Sequence, residues 1–201
     1  MDNGQFEESL AAVNLSTGAT PESQPKVHDV FDPITGTWQY IVSDPSTLKG
    51  IIIDPVLDFD PVTQRIQTKN ADTLLELAKT YEYHIDRILE THAHADHITA
   101  ASYLQSRLAQ RQGKKPLIGI GKRISQVQGL FAPRYGVPAE EYVGCFDTLF
   151  NDDDTFSVGN LTCTAIHLPG HTPDHMGYYI GGRIELEHLI DGPMMLTAEF
   201  R

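Results

Sequence analysis

The sequence predicts a layered α/β fold from three observations. Strand and helix patterns alternate from residue 50 onward, one strand carries three successive isoleucines, and proline and glycine mark the ends of elements rather than a long linker.

Residues 1–27 are polar and without sustained periodicity, and read as a mobile leader. Two short strands follow, at 28–31 and 37–42, with a turn at 33–36 between them. Trp38, Tyr40 and Val42 alternate so as to share one face. Residues 50–54 form the clearest strand. Ile51, Ile52 and Ile53 predict burial on both faces, and Pro55 predicts the end of the ladder and an extended Asp54. A carboxylate at such a strand end must be paired. Asp54 is read either as a cap or turn partner or as the partner of a metal-binding histidine.

The spacing of Leu74, Leu75, Ala78 and Tyr81 predicts a helix over 70–81 with one apolar side. A strand at 85–90 runs into the histidine-rich run 91–97, and Leu104 and Leu108 predict a helix over 98–111. Further strands are expected at 116–120, at 155–158 and 161–168 around a Gly159-Asn160 turn, and at 176–180, with a rigid Pro169-Gly170-His171-Thr172-Pro173 loop before the last.

The chain has 201 residues, enough for one domain of moderate size, and its 40% apolar content can supply a core. A net charge of −12 suits neither a nucleic-acid backbone nor an anionic membrane surface, and neither is expected as a partner. The acidic run Asp152-Asp153-Asp154 reads as a solvated turn. Two cysteines, Cys145 and Cys163, exclude a disulfide-dense scaffold and a thiolate zinc ribbon, and both read as buried small hydrophobes. The N-terminal segment lacks the basic and apolar regions of a targeting peptide. Cytoplasmic placement is the expectation, with a mitochondrial one left open.

Chemistry concentrates in Thr91-His92-Ala93-His94-Ala95-Asp96-His97. Three imidazoles and a carboxylate in six positions are a donor set for zinc or iron. His92 and His94 can project to the same side of an extended segment, and His97 can reach back from a helix start. His171 follows another apolar strand in a loop held by prolines, and is the natural donor from a distant part of the chain. His175, four residues on, reads as a supporting group. The charge-balancing carboxylate is Asp191 on this reading, with Asp96 the nearer alternative, above all in a two-metal design. Two histidines and one carboxylate leave open positions on iron, whereas a hydrolytic site favours zinc and a bound hydroxide.

Ile51-Ile52-Ile53-Asp54-Pro55-Val56, the run from Glu90 through His97, and the run from Leu168 to Gly177 resemble, in order and spacing, the metallo-beta-lactamase superfamily. The wording around the histidines is similar to its persulfide dioxygenase (sulfur dioxygenase) branch. The resemblance covers roughly residues 28–180 and implies an αββα sandwich with the metal at the edge of the facing sheets. It also implies one Fe(2+) per chain, held by His92, His171 and Asp191, and oxidation of glutathione persulfide to sulfite by molecular oxygen. His94 and Asp54 then orient the ligands, and Asp96 and His97 keep the pattern of a second metal. Two alternatives accompany this reading: a glutathione thioester hydrolase with a dinuclear, zinc-containing site, and a catalytically inactive metal-binding protein.

The sequence departs from that family downstream. Asp191 comes late and precedes Gly192, where the family has a Gly-Asp pair, and the chain stops at Arg201. The expectation is an incomplete domain over 28–201 lacking the C-terminal part of its second half. Exposed unfinished surface leaves room for a homodimer.

Overall fold

A computed structural model describes residues 24–181 and the backbone of 183–185. The downstream Asp191 and most of the predicted leader lie outside the described residues.

The chain opens with an antiparallel hairpin, β1 (Lys26–Asp32) and β2 (Thr37–Ser43), in which Phe31 faces Trp38 and Lys26 faces Ser43. Ordered strand therefore begins at Lys26, just inside the bound predicted for the leader. β3 (Lys49–Ile53) runs antiparallel to β2. From there the sheet grows by parallel addition through crossover helices. α1 (Lys69–Thr80) leads to β6 (His84–Leu89), α2 (Ala101–Gln112) to β8 (Leu117–Gly121), and α3 (Ile124–Tyr135) to β9 (Thr148–Phe150). The six-stranded order is β1-β2-β3-β6-β8-β9.

Between these elements lie three short strands, β4 (Val56–Asp60), β5 (Arg65–Gln67) and β7 (Ile98–Thr99), which form a small sheet in the order β5-β4-β7. β10 (Thr155–Val158), β11 (Leu161–His167), β12 (Met176–Ile180) and β13 (Arg183–Glu185) form an antiparallel sheet in that order.

The alternation of Ile51, Ile52 and Ile53 divides the interior in two. Ile52 joins Ile41, Ile85 and Ile88 against Leu74, Ala78, Leu104 and Leu108 of α1 and α2. Ile51 and Ile53 point the other way, joining Val42 and Leu89 against Phe156, Val158, Ala165 and Tyr178 of the four-stranded sheet. All three isoleucines are buried, as the run predicts. The described residues thus form helix, sheet and sheet layers. None of the described helices is long and apolar enough to cross a membrane.

Several expectations need correction. Residues 98–100 are not helical: Ile98 and Thr99 pair with Leu57 and Val56, and the helix begins at Ala101. Tyr81 does not join the apolar side of α1; it lies beyond the helix end, stacked beside Tyr83 with the Lys26 ammonium 4.4 Å above its ring. Cys163 is buried as expected, but Cys145 is exposed. Asp54 is not extended. Its φ is +47°, a left-handed conformation that aspartate adopts more readily than most residues.

Candidate metal centre

The parallel strands β3 and β6 end side by side, and the loops that leave them carry the chemistry, the usual position for a site on such a sheet. Asp54 sits at the end of β3 and is completely buried. Its backbone N–H donates to Leu89 O at 2.9 Å, and its carboxylate accepts from Thr91 N at 2.8 Å and from Thr91 Oγ1 at 2.8 Å. These bonds turn the chain after β3 toward the loop after β6, and account for the left-handed backbone at a residue followed by proline.

That loop, residues 91–97, is neither helix nor extended strand. It nevertheless brings the predicted histidines together. The rings of His92 and His94 are 4.2 Å apart between centroids, and those of His94 and His97 are 4.1 Å apart. One ligand atom each from His92, His94 and Asp96 falls within a mutual 4.8 Å.

His171 comes from the loop between β11 and β12, in the other sheet, and its ring stands perpendicular to that of His92 at 4.8 Å. Two backbone bonds place this loop: Met176 N to Thr91 O at 2.8 Å, and Leu168 N to His175 O at 2.9 Å. Asp174 adds a contact from Ala93 N to its Oδ2 at 3.3 Å. Gly121, at the end of β8, lets the loop come this close. A Cβ there would lie 2.4 Å from Cγ of Met176 and 2.9 Å from its sulfur.

Each upstream imidazole is held by one nitrogen. His92 Nδ1 lies 2.8 Å from Thr91 Oγ1. His94 Nε2 lies 2.9 Å from Asp54 Oδ1 and 3.2 Å from Glu90 Oε2. His97 Nδ1 lies 3.2 Å from Asp96 Oδ2 and 3.2 Å from Thr37 Oγ1. Among the described residues the other nitrogens, His94 Nδ1 and His97 Nε2, are buried without a hydrogen-bond partner. A buried polar atom in that state is costly unless something binds it. An imidazole tied on one side by a carboxylate or hydroxyl, with its second nitrogen unpartnered, is the arrangement of a metal ligand. The donor set therefore fits a metal ion, and its nitrogen-rich character suits zinc or iron better than magnesium or calcium.

Electrostatics support the same placement for His92. Burial lowers the His92 pKa to about 3, with the neighbouring His94 charge adding to the effect, so this ring is neutral and its nitrogen lone pair available. Burial likewise lowers His97 and His175. His94 moves in the other direction. Burial opposes its charge, but Asp54 and Glu90 outweigh burial and raise it. Burial also opposes ionisation of Asp54, yet His94 and the Thr91 donors hold its carboxyl far below the usual range. Glu90 is raised, chiefly by burial.

Sequence reasoning thus finds His92, His94, Asp96, His97, Asp54 and His171, and the fold brings all six to one region. It leaves out Glu90, Thr37 and Thr99, which carry no spacing signal. It reads His175 only as a supporting group; the ring is buried and stacked on His92 at 5.0 Å and 23°, with Nδ1 unpartnered among the described residues.

Comparison with known proteins gives a consistent picture. The model of the metallo-beta-lactamase superfamily matches residues 35–184. A "Beta-lactamase hydrolase-like protein" of Xylella fastidiosa is 40% identical over 87% of this chain and 39% of its own length. The human "Persulfide dioxygenase ETHE1, mitochondrial" is 27% identical over 73% of this chain and 44% of its own length. The chain thus spans less than half of either relative. Among solved structures, the crystal structure of ETHE1 from Myxococcus xanthus superposes with a TM-score of 0.57 at 23% identity, covering 79% of this chain and 55% of that one, which shows a shared fold.

Proposed function

Since the chain belongs to the metallo-beta-lactamase superfamily, we propose that it serves as an iron-dependent persulfide dioxygenase acting on glutathione persulfide. The observation that carries the metal reading is the perpendicular approach of His92 and His171, delivered by loops of two different sheets, at 4.8 Å. The dioxygenase reading rests on the wording of the motifs and on the human relative. His92 and His171 hold Fe(2+), and Asp191 supplies the carboxylate. Bound iron supplies open positions and electron chemistry for a thiolate-type sulfur and dioxygen.

The chain's own residues orient and balance charge. Thr91 fixes the His92 ring through Nδ1, and Asp54 and His94 stand behind it. The net reaction converts a persulfide anion, dioxygen and water into glutathione thiol, sulfite and a proton. The sulfur–sulfur bond breaks, the terminal sulfur is oxidised, and dioxygen is reduced. This chemistry needs neither a serine nor a cysteine nucleophile, in keeping with the buried Cys163, whose thiol burial pushes up to about 12. Placement in the cytoplasm, with a mitochondrial one left open, and room for a homodimer belong to the same proposal.

One observation favours a second reading. His94 Nδ1 and His97 Nε2 are both buried and unpartnered among the described residues, beside Asp96, as a dinuclear site requires. That arrangement suits a zinc-dependent glutathione thioester hydrolase, and the relative at 40% identity carries a hydrolase-like name. The 201-residue chain, loaded anaerobically with ferrous iron, separates the two. Sulfite release from glutathione persulfide with matching oxygen consumption is the expected result. Oxygen-independent cleavage of S-lactoylglutathione by the zinc-loaded chain, without sulfite release by the iron-loaded one, selects the hydrolase. Metal uptake with neither activity selects the inactive metal-binding alternative.

A further inference from the structure

Glu90 is the last residue before the histidine loop, and its side chain is almost completely buried. Three anchors hold it. Its backbone N–H donates to Gly119 O at 2.9 Å, its backbone carbonyl accepts from Tyr178 Oη at 2.8 Å, and its Oε1 accepts from Thr99 Oγ1 of β7. The backbone anchors tie it to neighbours in both large sheets, and need no particular side chain. The Thr99 bond satisfies only one carboxylate oxygen. The other, Oε2, lies 3.2 Å from Nε2 of His94, a close polar contact, and is buried without a hydrogen-bond partner among the described residues. A buried carboxylate is expensive, and an apolar residue of similar size would fill the same space at lower cost.

We propose that Glu90 is a positioning residue for the metal centre, its Oε2 standing 3.2 Å from the His94 Nε2 that Asp54 binds. One carboxylate alone leaves the imidazole free to swing about a single hydrogen bond. Two carboxyl oxygens at 2.9 and 3.2 Å from Nε2, reaching it from the ends of adjacent strands, restrict the plane of the ring. The ring they hold, whose Nδ1 has no partner among the described residues, lies 4.2 Å from the His92 ring and 4.1 Å from the His97 ring between centroids. The two carboxyl groups are keyed by separate threonines: Thr91 holds Asp54, and Thr99 holds Glu90. Through Thr99, the small β5-β4-β7 sheet gains a role in setting the metal ligands.

This inference rests on the metal-centre reading and is independent of the substrate. The test uses the full chain, stripped of metal and titrated with zinc against a chromophoric chelator, then loaded with cobalt(II) for its visible absorption spectrum. Glu90→Gln keeps the volume but replaces the acidic group with a neutral amide. The expected result is zinc affinity lowered about 10-fold, the lower end of what such outer partners carry, together with a shifted cobalt spectrum. Thr99→Val, which releases Glu90 without touching the ligands, shifts the spectrum in the same direction with a smaller affinity loss, and decides the matter if Glu90→Gln does not fold. Wild-type affinity and an unchanged spectrum in the folded variants overturn the proposal. So does a loss of thermal stability in Thr99→Val with no spectral change, which would make Glu90 a packing group alone. If the wild-type chain takes up neither metal, the metal-centre reading itself fails, an outcome distinct from a variant that binds as well as wild type.

Discussion

Asp54 Oδ1 lies 2.9 Å from Nε2 of His94, and both side chains are shielded from solvent. The same carboxylate accepts two bonds from Thr91, so one buried acid both turns the chain and orients an imidazole. Asp54→Ala removes the acceptor for the Thr91 N–H and leaves the His94 charge without its nearest partner. The expected cost to the metal-free chain is about 3–5 kcal/mol, the range for breaking a buried pair from one side, measured by urea unfolding. Asp54→Asn keeps the shape and tolerates the left-handed backbone. It is expected to fold, with zinc affinity lowered by roughly 10–100-fold in a chelator competition. Undiminished affinity in Asp54→Asn would show that the His94 ring is oriented without this acid.

Gly121 couples the β8 strand end to the loop that carries His171. A Cβ at that position meets the buried Met176 side chain at 2.4 Å, near its root, so the loop or the strand must move. Gly121→Ala is expected to cost about 1–3 kcal/mol, the usual range for overpacking, and to weaken zinc binding at the same time by displacing His171. The check is a paired measurement of thermal midpoint and zinc affinity. Gly129, where an added Cβ meets nothing within 4 Å, is the control: Gly129→Ala removes a flexible residue from α3 and is expected to be neutral or stabilising.

Much of this arrangement is legible in the sequence because it rests on period and on chemical type. The triple isoleucine, the Leu74 and Leu104 faces of α1 and α2, and the Gly159-Asn160 hairpin follow from local pattern. The histidine run with distant His171 follows from donor chemistry. The remainder is set by tertiary pairing. Pro55 does end the β3 ladder, but the chain resumes at once as β4 in a different sheet, and its pairing with Ile98 and Thr99 displaces the predicted first turn of α2. α3 buries only Ile124 and Ala132 and carries Pro133 inside it, so its periodicity is too weak to read. Glu90 looks like the end of an ordinary strand until β7 places Thr99 against it.

Asp44 fastens the far end of the two sheets. It is buried in the turn between β2 and β3, accepting from Ser46 N at 2.9 Å, Ser46 Oγ at 2.7 Å and Thr47 Oγ1 at 2.7 Å. Asn160 N, from the β10–β11 turn, donates to it at 2.7 Å. Burial opposes its ionisation, but the donors, led by Asn160 N, outweigh burial and hold the carboxyl down to about 2. A folded pKa below the unfolded one means that the stabilisation is present above the ordinary carboxylate value and is lost as pH falls through about 2. Asp44→Ala is therefore expected to cost about 2–3 kcal/mol at pH 7, since it orphans the Asn160 N–H, and the gap to wild type should narrow between pH 4 and pH 2. Urea unfolding across that range checks it, and a gap constant with pH would rule out the ionised carboxylate as its source. Gly159, whose φ is +57° and whose added Cβ would fall 2.0 Å from Thr47 Oγ1, belongs to the same fastening.

His171 and His175 lie four residues apart in one loop and approach the same ring, His92, yet they differ in burial. His171 is exposed and perpendicular to His92, whereas His175 is 4% exposed and stacked on it. Truncating an exposed donor removes a ligand without opening the interior. His171→Ala is expected to change the stability of the metal-free chain by no more than about 0.5 kcal/mol, while lowering metal affinity by more than the roughly 100-fold that an outer partner carries. Truncating the stacked ring instead opens a cavity behind His92. His175→Ala is expected to cost the metal-free chain about 2 kcal/mol or more, as large-to-small core changes do, with a smaller loss of affinity caused by a loosened His92. Measuring unfolding without metal and zinc binding on both variants separates ligand from support. If His175→Ala loses the larger share of affinity and little stability, the assignments of the two histidines exchange.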